Sequence, residues 1–266
     1  MNAPNDYKAF AEHLADLARP IARRYFRSDL KVIDKPDATP VTLADMEIEA
    51  RLREEIAAHF PHHGILGEEE DPKNIDAEFV WVIDPIDGTK AFTVGKPQFG
   101  TLVGLCRNGD PIVGVIDQAI TDERWVGAKG EGAWFNGQPM RRDASGRSLS
   151  SRHIKPLAET IVLATSPSIF SGKATTAYDQ LQRACKGFYW GGDCYNFAMV
   201  AQDNAALVFE AGLKTVDFIA LVNPIIEAGG YVCDFDGKPL TMQSDGTIIA
   251  AANQRLAVEV LAVIQS

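Results

Sequence analysis

Two aspartates three residues apart, Asp84 and Asp87, carry the strongest chemical signal in the sequence. They follow an apolar run over residues 79–83, which predicts a buried strand that ends at Asp84-Pro85. A glycine, a threonine and a short predicted helix over residues 89–92 come next. Carboxylates suit hard cations such as Mg²⁺, and amides at a helix start suit a phosphate oxygen. This combination predicts hydrolysis of a phosphate ester, with metal that neutralises the phosphate and activates water.

Three further carboxylates lie at junctions between predicted elements, and each also has a plainer structural interpretation. Residues 69–71 are explained well by a solvated acidic loop. Glu68 fits that interpretation less well, because it directly follows a short apolar segment. Asp45 has the spacing of a third-position partner in a helix cap that starts at Thr42. Asp217 opens a predicted helix, where capping is the default role of an aspartate. The residues alone favour capping for Asp45 and Asp217.

Periodic apolar spacing predicts the elements that position these acids. Two helices are predicted in the first quarter of the chain, with a kink at Pro20 in the first. Strands are predicted over residues 79–83, 101–106 and 112–116. Residues 125–135 are also predicted to be strand, interrupted by glycine-rich turns, and the glycine pattern over residues 127–132 indicates a hairpin. Strands and helices then alternate over residues 160–165, 175–186, 194–202, 205–210, 217–228, 231–235, 247–251 and 256–264. This alternation indicates an α/β second half.

A polar, small-residue segment over residues 141–152 predicts the boundary between two halves. We therefore expect an N-terminal α+β half, residues 1–145, that carries most of the metal ligands. The C-terminal α/β half, residues 146–266, is expected to carry the substrate-selecting residues and Asp217.

Composition narrows the classes of partner. The 26 Lys+Arg and 36 Asp+Glu residues give a net charge of −10, and the absence of a basic run argues against nucleic acid. No apolar run reaches the roughly 18–20 residues of a membrane span. The N-terminus lacks an apolar signal core, and the four cysteines form no CxxC pair, which predicts reduced thiols and a cytoplasmic location. A small phosphate ester is the expected partner.

The sequence lacks the motifs of other classes of hydrolase. An aspartyl-phosphate enzyme needs two aspartates separated by one residue, and no cysteine is followed by five residues and an arginine. A GxSxG elbow, a Walker A loop and an HExxH zinc motif are also absent from the sequence.

Four ordered segments resemble the motifs of the inositol monophosphatase family: PVTLAD at 40–45, GEE at 67–69, WVIDPIDGT at 81–89, and VD at 216–217 followed by EAGG at 227–230. That family comprises Mg²⁺-dependent, lithium-sensitive phosphatases. The resemblance implies an α/β (α+β) fold, a layered α/β/α/β/α sandwich of the sugar-phosphatase type. It also implies a homodimer and two or three Mg²⁺ ions, for which Mn²⁺ is an expected substitute.

The resemblance further implies roles for the motif residues. The implied metal ligands are four carboxylates and one carbonyl oxygen: Glu68, Asp84, Asp87, Asp217 and Ile86. The implied phosphate-binding residues are Asp87, Gly88 and Thr89. Asp45 would help to hold a further, weaker ion. Thr89 and Glu68 would orient and deprotonate the attacking water.

Two acids in the second half, Asp193 and Glu210, bear on the substrate. A neutral polyol does not require two carboxylates, although its hydroxyls can donate to them, whereas a cationic amine or imidazolium suits them well. A helix cap is an equally good interpretation of Asp193. Segments 88–92, 95–97, 99–102, 191–195 and 217–221 resemble the branch that dephosphorylates L-histidinol phosphate in histidine biosynthesis. The predicted substrate residues are Asp193, Glu210, Tyr195 and Lys90.

Three alternatives stay open at this point. An inositol-1-monophosphatase would share the same motifs. A nucleotidase acting on 3′-phosphoadenosine 5′-phosphate also carries Gly-Thr-Lys, so Lys90 does not discriminate, but no cluster of basic residues lies near Asp193 or Glu210 in the sequence. A non-catalytic metal- and phosphate-binding relative is disfavoured because no expected ligand position is missing.

Overall fold

The computed structural model describes residues 4–28, 32–34, 40–140 and 156–266. Its helices are α1 (Pro4–Tyr25), α2 (Leu43–His59), α3 (Thr89–Thr93), α4 (Lys173–Ala184), α5 (Asp193–Ala201), α6 (Thr215–Glu227) and α7 (Gln254–Ile264). The predicted boundary over residues 141–152 lies outside the described residues, so the division into halves stays a prediction.

Strands β1 to β9 belong to the first half. They are β1 (Val32–Asp34), β2 (Pro40–Thr42), β3 (Gly64–Gly67), β4 (Phe79–Asp87), β5 (Gly100–Arg107), β6 (Asp110–Gln118), β7 (Glu123–Ala128), β8 (Gly132–Phe135) and β9 (Gln138–Pro139). Strands β1 and β2 form a small antiparallel pair. The other seven form one sheet in the order β3-β4-β5-β6-β7-β8-β9, antiparallel except for the parallel pair β3–β4.

The second sheet contains β10 (Ile161–Ala164), β11 (Gly187–Trp190), β12 (Leu207–Glu210), β13 (Tyr231–Cys233) and β14 (Ile248–Ala251). Its order is β11-β10-β12-β14-β13. Strands β10, β11 and β12 run parallel, while β14 is antiparallel to both of its neighbours. Because β10 and β12 are parallel, their carboxyl ends meet at one edge of the sheet.

Three apolar clusters hold five layers together. Strand β4 shows why its sequence is continuously apolar: Trp81 and Ile83 pack with α1 and α2, whereas Val80 and Val82 pack with α5 and α6. Helices α5 and α6 also cover one face of the second sheet, and α4 and α7 cover its other face. The layers are thus helix, sheet, helix, sheet, helix, which confirms the predicted layered α/β fold.

A row of glycines lets α6 lie close to the first sheet. Gly104, Gly114 and Gly127 are cross-strand neighbours on β5, β6 and β7. A Cβ atom at Gly114 would lie 2.1 Å from the Ala220 carbonyl oxygen, and one at Gly127 would lie 2.2 Å from the Asn223 carbonyl carbon. Glycines inside strands mark such close backbone approaches. This packing fixes where the N-terminus of α6 points.

Most predicted elements are present, with shifted ends. Helix α1 continues through Pro20 as one helix. Residues 127–132 form the predicted hairpin, which joins β7 to β8 and turns at Gly130 with φ of +79°. Within the part of the chain that the structure describes, no helix is both long and apolar enough to cross a bilayer.

Candidate active site

Strand β4 extends further than its apolar run predicts. It continues to Asp87 instead of ending at Asp84-Pro85, and its pairing with β5 shifts between the two aspartates. Asp84 pairs with Leu102 and Asp87 pairs with Gly100, so three steps on β4 face two on β5. This bulge places both carboxylates in an irregular segment at the strand end, where proline is tolerated.

Hydrogen bonds from the backbone and from Thr101 fix that segment. The Ile86 N–H donates to Asp84 Oδ1 at 3.0 Å, and the buried Thr101 hydroxyl donates to the Pro85 carbonyl oxygen at 2.8 Å. The Thr89 hydroxyl donates to the Ile86 carbonyl oxygen at 3.0 Å. The turn that carries the two aspartates is therefore held from both sides.

The predicted helix after this turn is α3, which begins at Thr89 with Gly88 as its N-cap. Gly88 has a φ of +86°, and a Cβ there would lie 3.0 Å from the Gln98 carbonyl oxygen and 3.2 Å from Asp193 Oδ2. Both the left-handed conformation and the crowding require glycine. Asp193 thus approaches the start of α3 from the second half of the chain.

Glu68 reaches the same region through the parallel pairing of β3 with β4. Gly67 is aligned with Ile83, so Glu68 leaves β3 at the level at which β4 reaches Asp84. Its carboxylate lines the pocket, and Lys214 Nζ lies 3.5 Å from Glu68 Oε1.

Asp217 comes from the first turn of α6. The helix begins at Thr215, so Asp217 is its third residue and not the residue that opens it. Asp217 Oδ2 accepts a hydrogen bond from the Lys214 N–H at 2.7 Å, which is the N3 half of a capping box. Oxygen atoms of Asp84, Asp87 and Asp217 all lie within 4.8 Å of one another. These three residues are called the carboxylate cluster below.

Helix α5 joins the second half to this cluster. The Cys194 N–H, in the first turn of α5, donates to Asp87 Oδ2 at 2.6 Å. Asp193 is the first residue of α5 with a φ of +41°, and Gly192 occupies the N-cap position without a side-chain cap. The capping interpretation of Asp193 is therefore wrong, and its carboxylate lines the pocket.

Glu210 lies at the carboxyl end of β12, where the chain leaving β10 also arrives. Its Oε1 accepts hydrogen bonds from the Thr165 N–H at 2.6 Å and from the Thr165 hydroxyl at 2.8 Å. Its Oε2 is buried and has no hydrogen-bond partner among the described residues. Burial is the main cause that raises the pKa of Glu210 to about 8. Asp193 and Glu210 are called the leaving-group side below.

The pocket between these elements has a volume of about 280 Å³. Its charged lining consists of six carboxylates and two ammonium groups: Glu68, Asp84, Asp87, Asp193, Glu210, Asp217, Lys90 and Lys214. Ile86, Gly88 and Thr89 line it as well. The structure therefore brings ten of the twelve predicted site residues to one pocket, and the excess of carboxylates makes it strongly acidic.

Two predicted site residues do not line this pocket. The Tyr195 hydroxyl donates to Glu123 Oε2 at 2.8 Å and its ring packs edge-on against Trp125, on an adjacent cavity. The structure therefore does not bring Tyr195 to this pocket, and its role as a substrate residue stays a prediction. Asp45 forms the predicted capping box with Thr42, while its Oδ1 is buried without a partner among the described residues.

Comparison with known proteins gives the family. The profile of the inositol monophosphatase family matches residues 4–266. The chain belongs to this family. It is 40% identical over 249 residues to the bifunctional phosphatase IMPL2 of Arabidopsis thaliana, covering 92% of this chain and 69% of that protein. It is 33% identical to a histidinol-phosphatase of Chlorobaculum parvum, covering 90% of each. An inositol monophosphatase structure from Zymomonas mobilis has a TM-score of 0.87 and 36% identity over all of both chains.

Enzymes of the inositol monophosphatase family are metal-dependent phosphatases, and the carboxylate cluster fits a metal ion. Burial raises the pKa of Asp84 and of Asp87 well above the usual range, and neighbouring carboxylates raise both further. Burial also raises the pKa of Asp217 to about 6. Carboxylates crowded in this way repel one another, and a divalent cation would neutralise that repulsion.

Three residues of the site were not found from the sequence. Lys214 contributes a cation opposite Glu68, Thr165 holds Glu210, and the Cys194 amide holds Asp87. Lys214 lies three residues before Asp217, so its position at the helix start was a usable signal. Thr165 and Cys194 act through tertiary contacts that no local pattern indicates.

Proposed function

We propose that this chain is a Mg²⁺-dependent histidinol-phosphatase, which hydrolyses L-histidinol phosphate to L-histidinol and inorganic phosphate. The observation that carries the proposal is the leaving-group side. Glu210 presents a buried Oε2 without a partner among the described residues, and Asp193 lines the same pocket. L-Histidinol carries a primary amine and an imidazole, which are cationic donors for two carboxylates. The similarity to a histidinol-phosphatase of Chlorobaculum parvum supports the proposal.

The metal would be held by the carboxylate cluster, with Glu68 and the Ile86 carbonyl oxygen as further ligands. All five residues line the pocket. Two or three Mg²⁺ ions, or Mn²⁺ in their place, would neutralise phosphate charge and lower the pKa of the attacking water. Asp45, whose Oδ1 is buried without a partner in the described residues, is proposed to support a weaker ion.

Thr89 and Glu68 are proposed to prepare the water. Because the Thr89 hydroxyl donates to the Ile86 carbonyl oxygen, its lone pairs are directed elsewhere and can accept a hydrogen bond from water. The Glu68 carboxylate is proposed to accept the proton that the water releases as its oxygen bonds to phosphorus. The bond between phosphorus and the ester oxygen breaks, and the leaving alkoxide takes up a proton from solvent water. The Gly88 and Thr89 N–H groups, beside Asp87, are proposed to bind the phosphate oxygens.

On the leaving-group side, the carboxylates of Asp193 and Glu210 are proposed to bind the cationic groups of the substrate. Lys90 lowers the pKa of Asp193 and therefore acts on that carboxylate electrostatically, although burial, the larger cause, raises that pKa to about 6. Lys90 is proposed to contact the substrate beside Asp193. A homodimer and a cytoplasmic location stay predictions.

The test compares kcat/KM for L-histidinol phosphate, inositol 1-phosphate and 3′-phosphoadenosine 5′-phosphate at fixed Mg²⁺. We expect L-histidinol phosphate to be the preferred substrate. Asp193→Asn should raise KM for it by about 10- to 100-fold, because a hydrogen bond to a charged group contributes about 1.5–3 kcal/mol. KM for inositol 1-phosphate should change by less than about threefold, since no charge pair is lost.

The matched control is Glu131→Gln, on the exposed turn between β7 and β8, which should leave both KM values unchanged. Equal increases in KM for both substrates would contradict the proposal. The second candidate is an inositol monophosphatase, favoured by the similarity to the Zymomonas mobilis structure. A higher kcat/KM for inositol 1-phosphate would establish that candidate instead.

A further inference from the structure

Glu49 is a buried carboxylate that faces the turn after β3, outside the pocket. It lies on α2, one turn after Asp45, and is fully buried. Its Oε2 accepts a hydrogen bond from the Glu69 N–H at 2.8 Å, and its Oε1 accepts one from the Glu70 N–H at 3.0 Å. One helical side chain therefore binds two consecutive amides of the turn that follows Glu68.

Arg53 completes the same arrangement from the next turn of α2. Its Nε donates to Glu49 Oε1 at 2.8 Å, and its Nη2 donates to the Glu70 carbonyl oxygen at 2.8 Å. The Glu49 carboxylate is thus neutralised and hydrogen-bonded on both oxygens, which is the condition for burying a charge. With both oxygens bound by these donors, Glu49 is directed at the turn and not at the metal side of the pocket.

Gly67 shows how closely the carboxylate approaches the other side of Glu68. A Cβ atom at Gly67 would lie 2.1 Å from Glu49 Oε1 and 2.4 Å from its carboxyl carbon. The φ of Gly67 is not in the left-handed region, so the close approach, and not the backbone conformation, requires glycine here. Glu49 therefore contacts the chain immediately before Glu68 and binds it immediately after.

We propose that Glu49 is a positioning residue for Glu68. By fixing the backbone on both sides of Glu68, it makes the Glu68 carboxylate part of a rigid pocket wall instead of a solvated acidic loop. The inference rests on the proposed role of Glu68 as a metal ligand and proton acceptor. Residues that orient such ligands typically change metal affinity or activity by about 10- to 100-fold when they are substituted.

The first test is Glu49→Gln, which keeps the size of the side chain but replaces one accepting oxygen with a donating NH₂ group. At least one of the three N–H donors that bind Glu49 then faces the new NH₂ group, which cannot accept its hydrogen bond. We expect kcat to fall about 10- to 100-fold, with KM for the ester within about threefold of the original value. Binding of Mn²⁺, measured by calorimetry without substrate, should weaken by a similar factor. Glu55→Gln, on the same helix and paired with Arg51, is the matched control and should change neither value.

A double variant separates positioning from a general structural role. If Glu49 acts through Glu68, Glu49→Gln should not weaken Mn²⁺ binding further once Glu68→Gln is present. If the two losses multiply, or if Glu49→Gln alone binds Mn²⁺ and turns over normally, the inference is wrong. Full activity of Glu68→Gln by itself would instead overturn the proposed function of Glu68.

Two further variants keep the test decisive if Glu49→Gln does not fold. Gly67→Ala places a methyl group where the Glu49 carboxylate lies, and we expect it to reproduce the loss of kcat and of Mn²⁺ affinity. Arg53→Met removes the cation that pairs with Glu49 but leaves both amide hydrogen bonds in place, and should cause a smaller loss of kcat and of Mn²⁺ affinity, about two- to fivefold. Melting temperatures measured without metal identify any variant that is unfolded. Normal Mn²⁺ binding by folded Gly67→Ala would also refute the inference.

Discussion

The carboxylate cluster and the leaving-group side line one pocket, but they hold their charges differently. In the cluster, the oxygens of three aspartates lie within 4.8 Å of one another. After burial, the causes that most raise the pKa of Asp84 are other carboxylates. On the leaving-group side, Thr165 satisfies one oxygen of Glu210, and Lys90 acts on Asp193.

This difference separates two kinds of ligand. Three converging acids create a charge density that suits a divalent ion, because a singly charged group cannot contact and neutralise all of them. Two acids on separate elements, one already near an ammonium group, suit a small organic cation. Substitutions in the carboxylate cluster should therefore slow hydrolysis of every ester. Substitutions on the leaving-group side should instead change the selectivity between esters.

The largest expected effect tests the metal side. Glu68→Gln should lower kcat by about a thousandfold or more for charged and uncharged esters alike, since it removes both a ligand and the proposed proton acceptor, a loss of about 4 kcal/mol or more. Steady-state phosphate release with both substrates measures it. Glu70→Gln, in the same turn with a half-exposed side chain, is the control and should remain active. A loss of kcat for L-histidinol phosphate alone would contradict the assignment of metal binding to the carboxylate cluster and of selectivity to the leaving-group side.

The two sides also differ in how far the sequence predicts them. Asp84 and Asp87 lie in one contiguous segment, and the apolar run before them is enough to predict a strand that delivers them. The bulge between them depends on pairing with β5 and could not be predicted locally. The glycine row under α6 becomes visible only in register, because Gly104, Gly114 and Gly127 are far apart in the chain.

The leaving-group side depends on tertiary contacts. Tyr195 lies two residues after Asp193 on α5, and residues two apart on a helix lie on different faces. The Tyr195 side chain therefore contacts Glu123 and Trp125 of β7 instead of the pocket. Asp193 has the residue type of a helix cap, yet Gly192 takes that position. Local propensity therefore fails where a partner from another element decides the geometry.

A smaller effect is expected on the pH dependence of the free energy of unfolding when metal is removed. The pKa of Asp217 is raised to about 6, so the unfolded chain loses this proton at a lower pH than the folded chain does. The folded state thus binds more protons between about pH 4 and pH 6, and the free energy of unfolding must fall as pH rises through that range. For Asp217 alone the loss is about 3 kcal/mol at most.

Urea unfolding with a chelator at pH 4.5 and pH 7 measures this loss. Mg²⁺ should restore stability at pH 7, because it binds the folded state. Burial lowers the pKa of His63, which gives an opposite slope, because the folded chain then binds fewer protons at this residue than the unfolded chain does. Comparison with Asp217→Asn cancels that slope, and this variant should show a smaller loss between the two pH values. An identical loss in the variant would show that Asp217 is not its source.

The smallest expected effect belongs to the leaving-group side. The pKa of Glu210 is about 8, so at pH 7 about a tenth of this group is ionised and at pH 8 about half. Because only the carboxylate pairs with a cation, KM for L-histidinol phosphate should fall about fivefold over this range relative to KM for inositol 1-phosphate. That ratio removes pH effects which the two substrates share through the metal side. Glu210→Gln should abolish this fall and leave only the titration of the substrate's imidazole, at about pH 6.5, which acts in the opposite direction because it removes a cation. A fivefold fall that persists in the variant would assign the titration to another group and leave Glu210 without a role in selectivity.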